Sequence, residues 1–200
     1  MREPFVAYIE KEVHADSVLI TCGLPATNKT ETTEVIARLK GHKILRTDFL
    51  RLEVLKGEDI FDEKIAANMD KRRLVYDEMF RRAEQSASSG QGVILDATFV
   101  TLALRKRAAK VAATHGRPFF IQQTSCAEEF SLAKIANRSR ENYESNALSP
   151  VAYFNNVKKF EEIDLDILKA DFPDLEIVHI VVDTNSDDEN EWFVTDRFER

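Results

Sequence analysis

Residues 17–30 read SVLITCGLPATNKT, and the fold turns on how that run is interpreted. Val18, Leu19 and Ile20 form a short apolar stretch rich in β-branched residues. A run of this length, closed by Gly23 and Pro25, suits a central parallel strand. The turn that follows approximates G-x-x-x-x-G-K-[S/T], a pattern that cradles phosphate groups. Gly23 opens it, Lys29 and Thr30 close it, and Asn28 stands where the second glycine belongs. After Thr30, the run VIARL has the apolar spacing of a helix.

Strand, turn and helix in that order carry a chemistry. Backbone N–H groups along residues 25–30 would turn inward at a helix N-terminus and hold phosphate oxygens. Gly23, Leu24, Pro25, Ala26, Thr27, Asn28, Lys29 and Thr30 are therefore the candidate nucleotide cradle. Lys29 would reach the β- and γ-phosphates, and the Thr30 hydroxyl would ligate Mg²⁺.

Composition sets the outer bounds. The chain has 200 residues, 44% hydrophobic and 32% charged, enough for one α/β domain with a substantial core. No run is long and apolar enough for a membrane span, and the start, MREPFVAYIEKEV, does not read as a signal peptide. Two cysteines, Cys22 and Cys126, argue against a disulfide framework and for a reducing cytoplasm. Cys22 closes an apolar strand and reads as a buried thiol. The net charge of −7 disfavours a duplex nucleic-acid binder but leaves small anionic ligands open.

Along the chain, residues 4–13 read as an amphipathic helix. Residues 42–47 (HKILRT) read as a second strand with Asp48 at its tip, and 49–59 as polar and irregular. A long helical pattern joins Phe61, Ile65 and Met69 to Val75, Met79 and Ala83. GVILDA (92–97) is a third strand with Asp96 near its tip. A helix over 101–115, a strand at 118–123 and a helix over 127–137 follow. Residues 138–150 read as a polar lid. Pro150 opens a further helix, and 175–182 (LEIVHIVV) is the fifth strand. Trp192 and Phe193 are expected to pack back onto the core. Strands alternating with helices predict a five-stranded parallel sheet in three layers. Ligands of such sheets bind beyond the C-terminal strand ends, where the loop, Asp48 and Asp96 all fall.

With these blocks in place, the chain resembles the P-loop kinases of the nucleoside-kinase-like group, most closely the AAA_33 type and the kinase domain of polynucleotide kinases. The resemblance covers about residues 17–182. It rests on GLPATNKT (23–30), TDFLR (47–51), ILDATF (94–99), Arg105 and the arginines of NRSR (137–140). It implies one P-loop kinase-like domain with a helical lid, binding ATP and Mg²⁺. Asp48 would take the proton of the acceptor hydroxyl. Arg51 would bind an acceptor phosphate or the γ-phosphate. Asp96 would hold a metal-bound water or orient the acceptor. Arg138 and Arg140 would close over the transferring group. Arg105 is expected to pair with a carboxylate. The four histidines show no metal-ligand spacing.

Three functions stay open at this point. The chain is a kinase acting on a hydroxyl of a small-molecule or nucleotide-like acceptor, or a degenerate P-loop protein that binds nucleotide without transfer, or a 5′-hydroxyl nucleic-acid kinase. Asn28 is the pivot. It tolerates left-handed backbone angles better than other non-glycine residues, yet its side chain is expected to crowd the phosphates.

Overall fold

The structure, a computed structural model, describes residues 2–60, 65, 68–138 and 149–200. The first half contains β1 (Glu3–Pro4), α1 (Phe5–Glu12), β2 (Val18–Cys22), α2 (Lys29–Lys40), β3 (Lys43–Arg46), α3 (Thr47–Val54), α4 (Met69–Ser88) and β4 (Val93–Asp96). The second half contains α5 (Leu102–Thr114), β5 (Phe119–Ser125), α6 (Glu128–Ala136), α7 (Pro150–Lys159), α8 (Leu165–Asp171), β6 (Ile177–Asp183), a 3₁₀ turn at Glu189–Glu191 and β7 (Phe193–Glu199).

The strands form one sheet in the order β1-β7-β6-β5-β2-β4-β3. β3, β4, β2, β5 and β6 are parallel, as their sequence pattern requires. β7 adds antiparallel to β6, and β1 antiparallel to β7. The sheet is therefore seven-stranded and mixed rather than five-stranded and parallel. From β2 the chain crosses to β3 on one side and, after β4, passes to β5 on the other, so the winding reverses at β2 and a crevice opens at its C-terminal tip.

β2 is buried along its whole length and shows how the layers are built. Val18, Ile20 and Cys22 face a cluster containing Met79, Ala83, Ala108, Val111 and Leu168, from α4, α5 and α8. Leu19 faces the opposite cluster, with Phe5, Ile9, Val35 and Ile36 from α1 and α2. Alternation with a period of two thus puts helices on both faces. Trp192 is buried in this second cluster, as expected. Its indole donates to the Ser186 carbonyl at 2.7 Å and meets Phe5 edge-on.

One local expectation is corrected, and two elements appear where the sequence reading assigned none. Residues 47–54, expected at the strand tip and in an irregular segment, form α3, of which only Leu50 is buried. Residues 165–171 form α8, capped by the Asp164 carboxylate. Residues 193–199 form β7. Pro150 does open α7, where its missing N–H costs nothing. In that helix Tyr153 is the buried residue, whereas Val151, Phe154 and Val157 are exposed. Phe61, Arg140 and most of the expected 138–150 lid lie outside the described residues.

Candidate active site

The loop at the tip of β2 is held open by unusual backbone angles. Gly23 has φ +142°, and a Cβ there would sit 2.8 Å from Thr124 Oγ1 and 2.9 Å from its carbonyl. Only a glycine lets the loop pass so close to β5. Ala26 (φ +61°) and Asn28 (φ +55°, ψ +27°) both lie in the left-handed region. Each costs on the order of 1 kcal/mol relative to the right-handed basin. Alternating backbone hand turns successive N–H groups toward one centre. Among the described residues, no acceptor meets the N–H groups of Ala26 to Glu31. The loop therefore offers a set of unsatisfied donors at the start of α2, which is what an anion needs.

Lys29 is folded into this loop. Its ammonium donates to the Leu24 carbonyl and lies 3.3 Å from Thr27 Oγ1. It is almost fully buried, and burial lowers its pKa to about 8. Asp96 works against that shift, and the neighbouring charge of Arg138 adds to it. A buried lysine whose charge is opposed by its surroundings gains most from an arriving anion.

Thr30 and Asp96 meet as the sequence suggests. Thr30 Oγ1 donates to Asp96 Oδ2 at 3.0 Å, and Thr21 Oγ1 approaches Oδ1 at 3.4 Å. A hydroxyl and a carboxylate so placed are suitable oxygen ligands for Mg²⁺. A residue that sequence reasoning missed shares the same oxygen. Arg46 Nε donates to Asp96 Oδ2 at 3.0 Å, and Nη2 to Glu34 Oε1 at 3.1 Å. Arg46 and Asp96 are register partners on β3 and β4. Burial opposes the arginine's charge, but the two carboxylates outweigh it and raise its pKa.

Asp48 lies in the first turn of α3. Both Asp48 and Arg51 act electrostatically on Tyr76, whose phenol is pushed above its ordinary pKa by burial. Arg51 Nε and Nη1 are buried and meet no hydrogen-bond acceptor among the described residues. A guanidinium fork left open in this way suits an anionic group.

Arg105 departs from expectation. It is fully buried and, among the described residues, pairs with no carboxylate. It donates instead to the carbonyls of Phe99, Val100, Glu161 and Glu162. Its work is to tie the turn after β4, where Phe99 has φ +41°, to the segment after α7. Cys22 is buried, its thiol pKa raised by that burial.

The Asn28 side chain does not crowd the loop's centre in the way expected. Its amide donates to the carbonyls of Thr184 (3.2 Å) and Ser186 (2.9 Å), and its oxygen accepts from Lys134 of α6. Lys134 also pairs with Asp187 at 2.7 Å.

The chain is similar to several solved structures, kinases among them. It aligns with a gluconokinase from Sinorhizobium meliloti 1021 at 15% identity and TM-score 0.57, covering 87% of this chain and 86% of that one. A putative kinase from Chloroflexus aurantiacus matches at 16% identity and TM-score 0.60, covering 87% and 92%. A chain of the AvrRxo1-ORF1:-ORF2 complex with ATP matches at 18% identity and TM-score 0.56, covering 97% and 61%. Likeness at this identity shows the fold. No curated protein matches at a significant level. Among the described residues, no helix is long and apolar enough to cross a membrane. The family model AAA_33, an AAA domain, matches residues 18–159, most of the chain. By that match the chain belongs to the AAA_33 family, and by its neighbours its fold is that of the P-loop kinases.

Proposed function

We propose that the protein is an ATP- and Mg²⁺-dependent kinase. It transfers a phosphoryl group to a hydroxyl of a small-molecule or nucleotide-like acceptor bearing an anionic group. The observation that carries this reading is the loop at the tip of β2. Its left-handed Ala26 and Asn28, its row of N–H groups and its buried Lys29 together form an anion cradle.

In this reading the loop N–H groups and Lys29 bind the β- and γ-phosphates. Thr30 and Asp96 would hold the metal, which supplies positive charge to the phosphates when bound. Arg51 receives the acceptor's anionic group. Asp48 accepts the hydroxyl proton as the acceptor oxygen bonds to phosphorus, and the bond to the departing ADP oxygen breaks. Arg138, whose charge reaches Lys29, neutralises the transferring group. The setting is cytoplasmic, where ATP is available. A second reading, nucleotide binding without transfer, is favoured by the Arg46–Asp96 pair, which already occupies the carboxylate a metal would use.

Calorimetry with ATP and Mg²⁺ tests the cradle. The parent protein should bind, and Lys29→Ala should bind at least about tenfold more weakly, the scale of one lost charge-assisted contact. No binding by the parent overturns both readings. Binding without phosphate transfer to any hydroxyl acceptor selects the second.

A further inference from the structure

Arg46 has no part in the reaction outlined above, yet it is firmly anchored at the tip of β3. Its Nε lies 3.0 Å from Asp96 Oδ2 and its Nη2 lies 3.1 Å from Glu34 Oε1. Its guanidinium centre is 5.0 Å from the centre of the Phe49 ring. Only 13% of its side chain is exposed, against 4% for Asp96. Asp96 Oδ2 accepts from both Thr30 and Arg46, and Oδ1 faces Thr21.

A divalent ion held by the Thr30 hydroxyl and Asp96, directly or through water, must share that carboxylate with the fixed positive charge already paired to Oδ2. Two cations on one carboxylate repel each other, and a mostly buried site screens that repulsion weakly. Without the ion, the same guanidinium, shared between Asp96 and Glu34, offsets much of the Asp96 charge. The carboxylate then repels incoming phosphates less.

We propose that Arg46 competes with the divalent cation for Asp96 and, in the ion's absence, supplies the positive charge that lets nucleotide phosphates enter. The inference rests on the kinase reading above. It makes nucleotide affinity depend little on magnesium, because the protein carries a substitute for part of the ion's charge.

The test is the ratio of ATP dissociation constants in excess EDTA and in Mg²⁺, measured by calorimetry on the parent, Arg46→Gln and Glu34→Gln. The parent ratio should be below about tenfold, less than one charge-assisted contact. Arg46→Gln should raise the ratio at least about tenfold. It frees Asp96 for the ion and leaves it unneutralised without one. Glu34→Gln alters a side chain that is 59% exposed, so the fold should tolerate it. With one anchor gone, Arg46 is easier to displace, and the ratio should rise about twofold to fivefold. Ratios equal to the parent's in a folded, ATP-binding Arg46→Gln overturn the proposal and leave the ion pair as architecture. If Arg46→Gln does not fold, an unchanged ratio in Glu34→Gln overturns it. A parent that binds no ATP overturns this inference together with the kinase reading. A parent that binds ATP but fails the ratio test overturns this inference alone.

Discussion

The Asn28 amide donates to the Ser186 carbonyl at 2.9 Å, joining the phosphate-binding turn to the segment after β6 across most of the sequence. An asparagine in place of a loop glycine acts here as a strut. The same side chain accepts a hydrogen bond from Lys134, so three segments meet at one residue.

Asn28→Gly should therefore lower stability rather than raise it. Relief of the left-handed backbone contributes about 1 kcal/mol. The two carbonyl contacts and the Lys134 contact are worth about 1 kcal/mol each, more for the charged one. A net loss of about 2–3 kcal/mol in urea unfolding is expected, with ATP binding retained. An unchanged or higher midpoint would show that the strut carries no stability.

Lys29 should give nucleotide binding a pH dependence. Its pKa is about 8 in the free protein, so it loses its proton as pH rises through that value. A bound phosphate favours the charged form and raises the pKa. ATP affinity should fall above about pH 8, and binding near pH 8.5 should take up a fraction of a proton. Calorimetry in buffers of different ionisation enthalpy reads that uptake directly. Proton release, or no linkage, would exclude Lys29 from the anion's contacts.

Asp48→Asn should leave ATP binding nearly intact and lower phosphate transfer at least about a hundredfold, the usual scale for a lost general base. Single-turnover transfer with saturating nucleotide separates the two quantities. Transfer at the parent's rate would remove Asp48 from the chemistry.

Arg105→Met should destabilise the fold by about 3–5 kcal/mol, because four carbonyls, those of Phe99 and Val100 buried, lose their donor together. Molecules that still fold should bind ATP with near-parental affinity. A large loss of affinity with normal stability would assign Arg105 to the site instead.

The loop was legible in the sequence because its signal is local. Gly23, Lys29 and Thr30 stand at fixed spacing between a strand and a helix. Arg46 was not legible, because its partner lies fifty positions away and only the parallel register of β3 and β4 brings them together. α3 escaped notice because a short helix with one buried residue, Leu50, carries almost no apolar period. β7 escaped for a related reason. From Thr195 onward it has no buried residue, so residues 195–199 carry no apolar alternation to mark a strand. The arginine expected to meet a carboxylate, Arg105, met carbonyls, which leave no trace in a sequence.

The pairing of Glu3 with Val194 and Pro4 with Phe193 has a kinetic consequence. It joins positions separated by almost the full length of the chain. Closing a loop of that size is entropically costly, and contacts so distant in sequence slow folding. Until residues 193–199 have been made and docked, β6 presents an open row of donors and acceptors. The interval between synthesis of β6 and arrival of β7, more than the final stability, should set how readily the nascent chain aggregates.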